Sequence, residues 1–154
     1  MQPQVTVKFK RLDERATAPV YHSEHAAGMD LHACLPRGLI KTPTVLISHN
    51  QIVKIPLGFA VEIPRGYEGQ VRPRSGLASK HGLTLPNTPG TVDSDYRGEM
   101  FVALINLSPE PYEIQHGDRI AQLVIAPVTR AALVEVDELS ATDRGGGGFG
   151  STGR

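Results

Sequence analysis

Short runs of β-branched and aliphatic residues recur along this chain, each cut off by proline, glycine, asparagine or aspartate. With 12 prolines, 16 glycines and no tryptophan, regular helices are hard to sustain, because proline blocks them and glycine weakens their interiors. Many short strands joined by turn chemistry form the pattern of an all-β sandwich or barrel rather than of βαβ units. The spacing predicts strands over residues 5–9, 39–40, 45–47, 52–55 and 59–64, with residues 67–71 pairing back on the last of these across Arg65-Gly66. Further strands are expected over 100–107, 120–128 and 133–136, the final one ending the folded core. Residues 77–81 have helical propensity, and Gly82 stands where a helix would stop.

At 154 residues the chain fits one domain. Its 16 basic and 16 acidic residues balance without long runs of either sign. That argues against a nucleic-acid polymer or an anionic membrane as partner, since both demand a basic face. A small phosphorylated ligand needs only a local cluster of donors and stays open. Cys34 is the single cysteine, so neither a disulfide framework nor a thiolate metal cage is available. No apolar run reaches transmembrane length, and Met1-Gln2-Pro3-Gln4 lacks a signal-peptide pattern. The expectation is a protein of the reducing cytoplasm. The six histidines include one His-x-x-His pair, His22 and His25, but no His-Glu-x-x-His. Gly-x-Ser-x-Gly is also absent, which disfavours a zinc hydrolase or a serine nucleophile.

Five stretches carry chemistry. Asp30 sits between Met29 and Leu31 on a β-like run behind the small residues Ala26, Ala27 and Gly28. As a strand residue it faces away from both neighbours, and by itself it reads as a solvated outward acid. Arg74-Ser75-Gly76 follows Pro73 at the helix start. Ser75 there reads first as an N-cap, and the free N–H groups beside Arg74 also make a phosphate cradle. Asn87 carries an amide that could read a base edge or simply shape a turn. The segment from Gly90 to Glu99 looks like a hairpin that presents Asp93 and Tyr96 at a surface. Gln122 lies within an apolar strand, as a satisfied buried amide or a ligand-facing one. From Ser140 the chain turns glycine-rich around Phe149, a composition that reads as a plain flexible tail and equally suits one that folds over a ligand.

Taken together and in order, Ala27-Gly28-Met29-Asp30-Leu31, Pro73-Arg74-Ser75-Gly76-Leu77-Ala78, Asn87 through Glu99, Gly117-Asp118-Arg119-Ile120-Ala121-Gln122-Leu123 and Arg144 through Gly153 resemble the five motifs of the trimeric dUTP pyrophosphatase (dUTPase) family. The likeness runs from Gly28 to Gly153 and departs only at apolar positions, Met29 and Val92. It implies a β jelly roll over residues 1–139, assembled as a homotrimer with sites at subunit interfaces, and a flexible C-terminal arm over 140–154 that closes on the site. It implies hydrolysis of dUTP to dUMP and pyrophosphate with Mg²⁺. Asp93 would orient and deprotonate the attacking water and bind the 3′-hydroxyl. Tyr96 would pack on the deoxyribose and exclude a 2′-hydroxyl, while Asn87 and the backbone near Gly90, Thr91 and Val92, with Met100, would receive the uracil. Arg74, Ser75, Gly76 and Gln122 would hold the triphosphate. Asp30 would support the metal through water, and Arg144, Phe149, Gly150 and Ser151 would close over base and phosphates. A dCTP deaminase-like enzyme or a non-catalytic nucleotide-binding regulatory module on the same scaffold stands as the alternative.

Overall fold

A computed structural model describes residues 5–38 and 43–148 of the chain. Alternating apolar residues build eleven strands and one short helix in the order β1 (Lys8–Arg11), β2 (Met29–His32), β3 (Thr44–Ile47), β4 (Ile52–Pro56), β5 (Phe59–Glu62), β6 (Tyr67–Pro73), α1 (Ser75–His81), β7 (Leu83–Thr84), β8 (Gly90–Val92), β9 (Phe101–Asn106), β10 (Tyr112–Gln115) and β11 (Arg119–Pro127). All pairings are antiparallel. The largest sheet has the order β2-β11-β6-β8, and a second runs β4-β9-β7, with β1-β5 and β10-β3 as separate pairs. This is the expected all-β, jelly-roll-like architecture.

Alternation decides which side chains fill the interior. In β9, Val102, Leu104 and Asn106 face inward while their neighbours are half-buried. They meet Phe59, Leu31, Ile47, Ile55, Leu57 and Leu123 in one core. Asn106 is fully buried, and its amide is used completely: Nδ2 donates to the carbonyls of Ile47 at 2.9 Å and Glu110 at 2.8 Å, and Oδ1 accepts from Ser108 N at 2.9 Å. Asn106→Ala leaves the buried Ile47 carbonyl, and the part-buried Glu110 carbonyl and Ser108 N–H, without their partner. It is expected to cost about 2–4 kcal/mol, because each unsatisfied buried group costs on the order of 1–3 kcal/mol and losses overlap. Urea unfolding at an unchanged m-value measures this, and a loss under about 0.5 kcal/mol would mean that these groups are not desolvated.

Several sequence expectations are corrected by long-range pairing. Residues 67–71 do not fold back on 59–63. Instead β5 pairs with β1, and β6 sits between β11 and β8. The segment from Gly90 to residue 107 is not a hairpin either. β8 pairs with β6 and β9 with β4 and β7, so the Asp93 turn crosses from one sheet to another. The first strand begins at Lys8 rather than at residue 5. The strand expected at 133–136 does not form: β11 ends at Pro127, and Leu133, Val134 and Leu139 are 98%, 78% and 88% exposed. An apolar run becomes a strand only where an edge receives it, and among the described residues this one meets none. The strand expected at 39–40 lies outside the described residues.

Candidate active site

Asp30 is the organising charge. On β2, Leu31 faces the core at 0% exposure, so Asp30 faces the other way. Yet Asp30 is 4% exposed, not the solvated acid expected of an outward strand position. Neighbouring side chains cover it. Arg119 Nη1 donates to Oδ2 at 3.2 Å, Gln122 Nε2 to Oδ1 at 3.4 Å, and Arg74 Nε forms an ion pair with Oδ1 at 3.6 Å. His22 Nε2 stands 3.2 Å from Oδ2, brought there because Asp30 N bonds Val20 O at 3.3 Å.

A register shift explains the cluster. Arg119 pairs with His32, but Ala121 pairs with Leu31 and Gln122 with Asp30, so β11 carries a bulge at Ile120. In a regular strand, positions three apart point to opposite faces. The extra residue puts Arg119 and Gln122 on one face, both toward Asp30, while Ile120, Ala121 and Leu123 stay in the core. Gly28 lies against Gln122, where a Cβ would stand 3.2 Å from the Gln122 Cβ and 3.4 Å from Oε1. Two guanidiniums against one carboxylate leave an excess of positive charge, suited to a phosphate. Burial pushes the His32 imidazole below the usual histidine range, with Arg119 adding to that and Asp30 opposing it. His32 therefore adds no cation here at neutral pH.

Arg74 also fixes the entry to α1. It has extended backbone (φ −83°, ψ 126°) at the N-cap, and its Nη1 donates to Arg119 O at 3.0 Å. Ser75 is the first helical residue rather than the cap, and no side chain caps the helix. Among the described residues, the first helical N–H groups, at Ser75 and Gly76 next to Arg74 in the chain, therefore have no capping side chain. At the other end Gly82 takes the left-handed conformation (φ 63°) and its N–H bonds Ala78 O at 3.1 Å, which is the expected stop.

The Asp93 turn is a separate, well-anchored unit. Val92 on one side and Met100 on the other are 8% and 2% exposed. Met100 N donates to Phe59 O at 2.8 Å, and Leu57 N to Met100 O at 3.0 Å. Between these anchors Tyr96 N donates to Asp93 O at 3.1 Å, and Arg97 Nη1 closes the turn on the carbonyls of Ser94 and Tyr96 at 2.7 and 2.8 Å. Asp93 and Tyr96 are left at the surface, as expected. A hollow of about 210 Å³ brings together Thr91, Asp93, Tyr96 and Met100 with Lys54 and Glu99. Asn87 is exposed on the preceding turn, where a Cβ on Gly90 would come within 3.2 Å of its Nδ2.

The two units do not meet within one chain. Val92 pairs with Gly69, so Asp93 lies beside Glu68 near the start of β6, whereas Arg74 follows its last residue, Pro73. At about 3.3 Å per residue they are roughly 20 Å apart. In the tail, Arg144 donates from Nε to Gly147 O at 2.7 Å within its own turn. Phe149, Gly150 and Ser151 lie outside the described residues.

The family model described as dUTPase matches residues 14–153. This chain belongs to the dUTPase family. Among dUTPase relatives, the chain is similar to the deoxyuridine 5'-triphosphate nucleotidohydrolase of Syntrophotalea carbinolica, with 56% identity over 97% of both chains. It is 57% identical to that of Desulfotalea psychrophila, over 96% of this chain and 97% of the relative. The dUTPase of Staphylococcus bacteriophage 80alpha, solved with dUPNHPP, superposes with a TM-score of 0.84 at 29% identity, covering 97% of this chain and 99% of that one. A mutant dUTPase from phage phi11 of S. aureus, described with a structural Mg(II) ion, matches at 0.74 and 27% identity over 86% of this chain and 97% of that one. Against this dUTPase background, sequence reasoning missed Arg119 and His22 as partners of Asp30. Arg119 stood inside a quoted motif, but only the bulge shows which way it points. His22 stood out only as half of a His-x-x-His pair, and nothing local tied it to Asp30.

Proposed function

We propose that this chain hydrolyses dUTP to dUMP and pyrophosphate, with the cationic end around Asp30 holding the triphosphate and Asp93 handling the water. The observation that carries this reading is an exposed, rigidly framed carboxylate in a dUTPase-family chain that also gathers Arg74 and Arg119 around Asp30. Water attacks the α-phosphorus, its proton passes to the Asp93 carboxylate, and the bond to the bridging oxygen breaks as pyrophosphate leaves. Arg74, with Gln122 and the free N–H groups of Ser75 and Gly76, offsets the charge on the phosphate oxygens. Asp30 keeps both guanidiniums oriented. Tyr96 lies against the deoxyribose, and Asn87 with Gly90, Thr91, Val92 and Met100 receives the base.

A bound Mg²⁺ would neutralise phosphate charge and hold the triphosphate in one conformation. Such an ion would be seated on substrate oxygens and water rather than in a protein cage, since among the described residues no group of three His, Cys, Asp or Glu side chains converges. Asp30 already faces two guanidiniums, so its part toward such an ion runs through water.

The roughly 20 Å between Asp93 and Arg74 supports sites shared between chains, in a homotrimer. The exposed Leu133, Val134 and Leu139 support it too, since a strip this apolar gains by being covered. The arm over 140–154 then reaches a neighbouring site, with Arg144, Phe149, Gly150 and Ser151 closing over the ligand and excluding bulk water. The single, buried Cys34, its thiol pushed up by burial, suits a reducing cytoplasm.

The test is pyrophosphate release from dUTP, dCTP, dTTP and UTP at equal concentration, with and without Mg²⁺. Rapid release from dUTP alone, with dUMP as the other product, is expected. Ammonia release from dCTP would support the deaminase reading, which the relatives' names do not favour. No turnover of any of the four would point to the regulatory module.

A further inference from the structure

Tyr96 folds back over the chain that follows it. Its hydroxyl donates to Glu99 O at 2.7 Å, which places the ring directly on Gly98. A Cβ built on Gly98 would stand 2.5 Å from Tyr96 Oη, 2.7 Å from Cζ and 3.1 Å from Cε2. No heavy atom can sit there while the ring keeps its place. We propose that Gly98 is a positioning residue for Tyr96: its bare Cα is the seat of the ring, and that seat sets the discrimination between deoxyribose and ribose. The inference rests on the reading of Tyr96 as the wall against the 2′-hydroxyl.

The surroundings make the ring the part that yields. Gly98 lacks the positive φ that would exclude other residues, so alanine meets no backbone obstacle. The frame on either side is held independently of the ring. Glu99 Oε1 accepts from Gly58 N at 3.1 Å, Met100 N donates to Phe59 O, and Arg97 closes the turn on backbone carbonyls. Tyr96 itself is 43% exposed, and the bond to Glu99 O is its hydroxyl's only hydrogen bond among the described residues. A methyl on Gly98 therefore displaces the ring and breaks that bond while the turn keeps its shape. Asp93, three residues before Tyr96, is spared.

A double-mutant cycle decides this. Wild type, Gly98→Ala, Tyr96→Ala and the double variant are compared by kcat/KM for dUTP and for UTP, with Tm recorded for each. Gly98→Ala is expected to lower the dUTP/UTP ratio about tenfold, the scale of a lost steric contact in a pocket, with little change in Tm. Once Tyr96→Ala has removed the ring, adding Gly98→Ala should change the ratio no further. If Tyr96→Ala collapses the ratio but Gly98→Ala leaves it intact, or if the two effects add, the role of Gly98 is refuted while the Tyr96 wall stands. If Tyr96→Ala leaves the ratio unchanged, the wall itself is refuted and the proposal falls with it. Should Gly98→Ala fail to fold, the same clash predicts that the double variant folds again, and a double variant that also misfolds overturns the proposal.

Discussion

Asp93→Asn is expected to leave the fold and dUTP binding in place while lowering turnover by about two orders of magnitude or more, the scale of a lost general base. The exchange is nearly isosteric. Asp93 holds the turn through its backbone, accepting from Tyr96 N, and among the described residues its carboxylate makes no hydrogen bond or ion pair. The structure therefore has no use for the negative charge, and its loss falls on the chemistry. An amide can still orient a water but cannot take its proton. The measurement is kcat in the purified variant beside the affinity for a non-hydrolysable dUTP analogue. Near-normal turnover would remove Asp93 from the base role, and loss of both affinity and turnover would make it a binding group instead.

The second large effect is a gain. Asp93→Asn with its arm intact, and a truncation after Ser140 with Asp93 intact, are each expected to be nearly inactive. If Asp93 of one chain serves a site closed by the arm of another, the two should rescue each other. After unfolding and co-refolding in equal amounts, random trimers would unite an intact Asp93 and an intact arm in about a quarter of sites, since the two chains are drawn independently. Against either variant refolded alone, that is a many-fold increase. A size tag on one variant verifies that chains have mixed. Mixed trimers without recovered activity would place both elements within one chain.

Much of this protein follows from local sequence. β-branched runs between turn residues determine the all-β class, because alternation and turn chemistry act over a few residues. Gly82 ends α1 through its own φ, and apolar Val92 and Met100 bracket a polar turn that can only face outward. The order of the five motifs was equally legible, being a property of the chain itself. What the sequence alone could not decide is which strand lies beside which. Asp30 reads as a solvated acid until β11 is laid along β2, where one extra residue at Ile120 turns Arg119, 89 positions away, onto the same face. The apparent hairpins at residues 67–71 and 90–107 failed for the same reason: each strand found a better edge elsewhere in the sheets. Residues 133–136 have strand-like composition and no strand partner among the described residues. Composition sets the propensity of a segment, but a strand exists only through hydrogen bonds to another, and that partner is chosen by the whole fold.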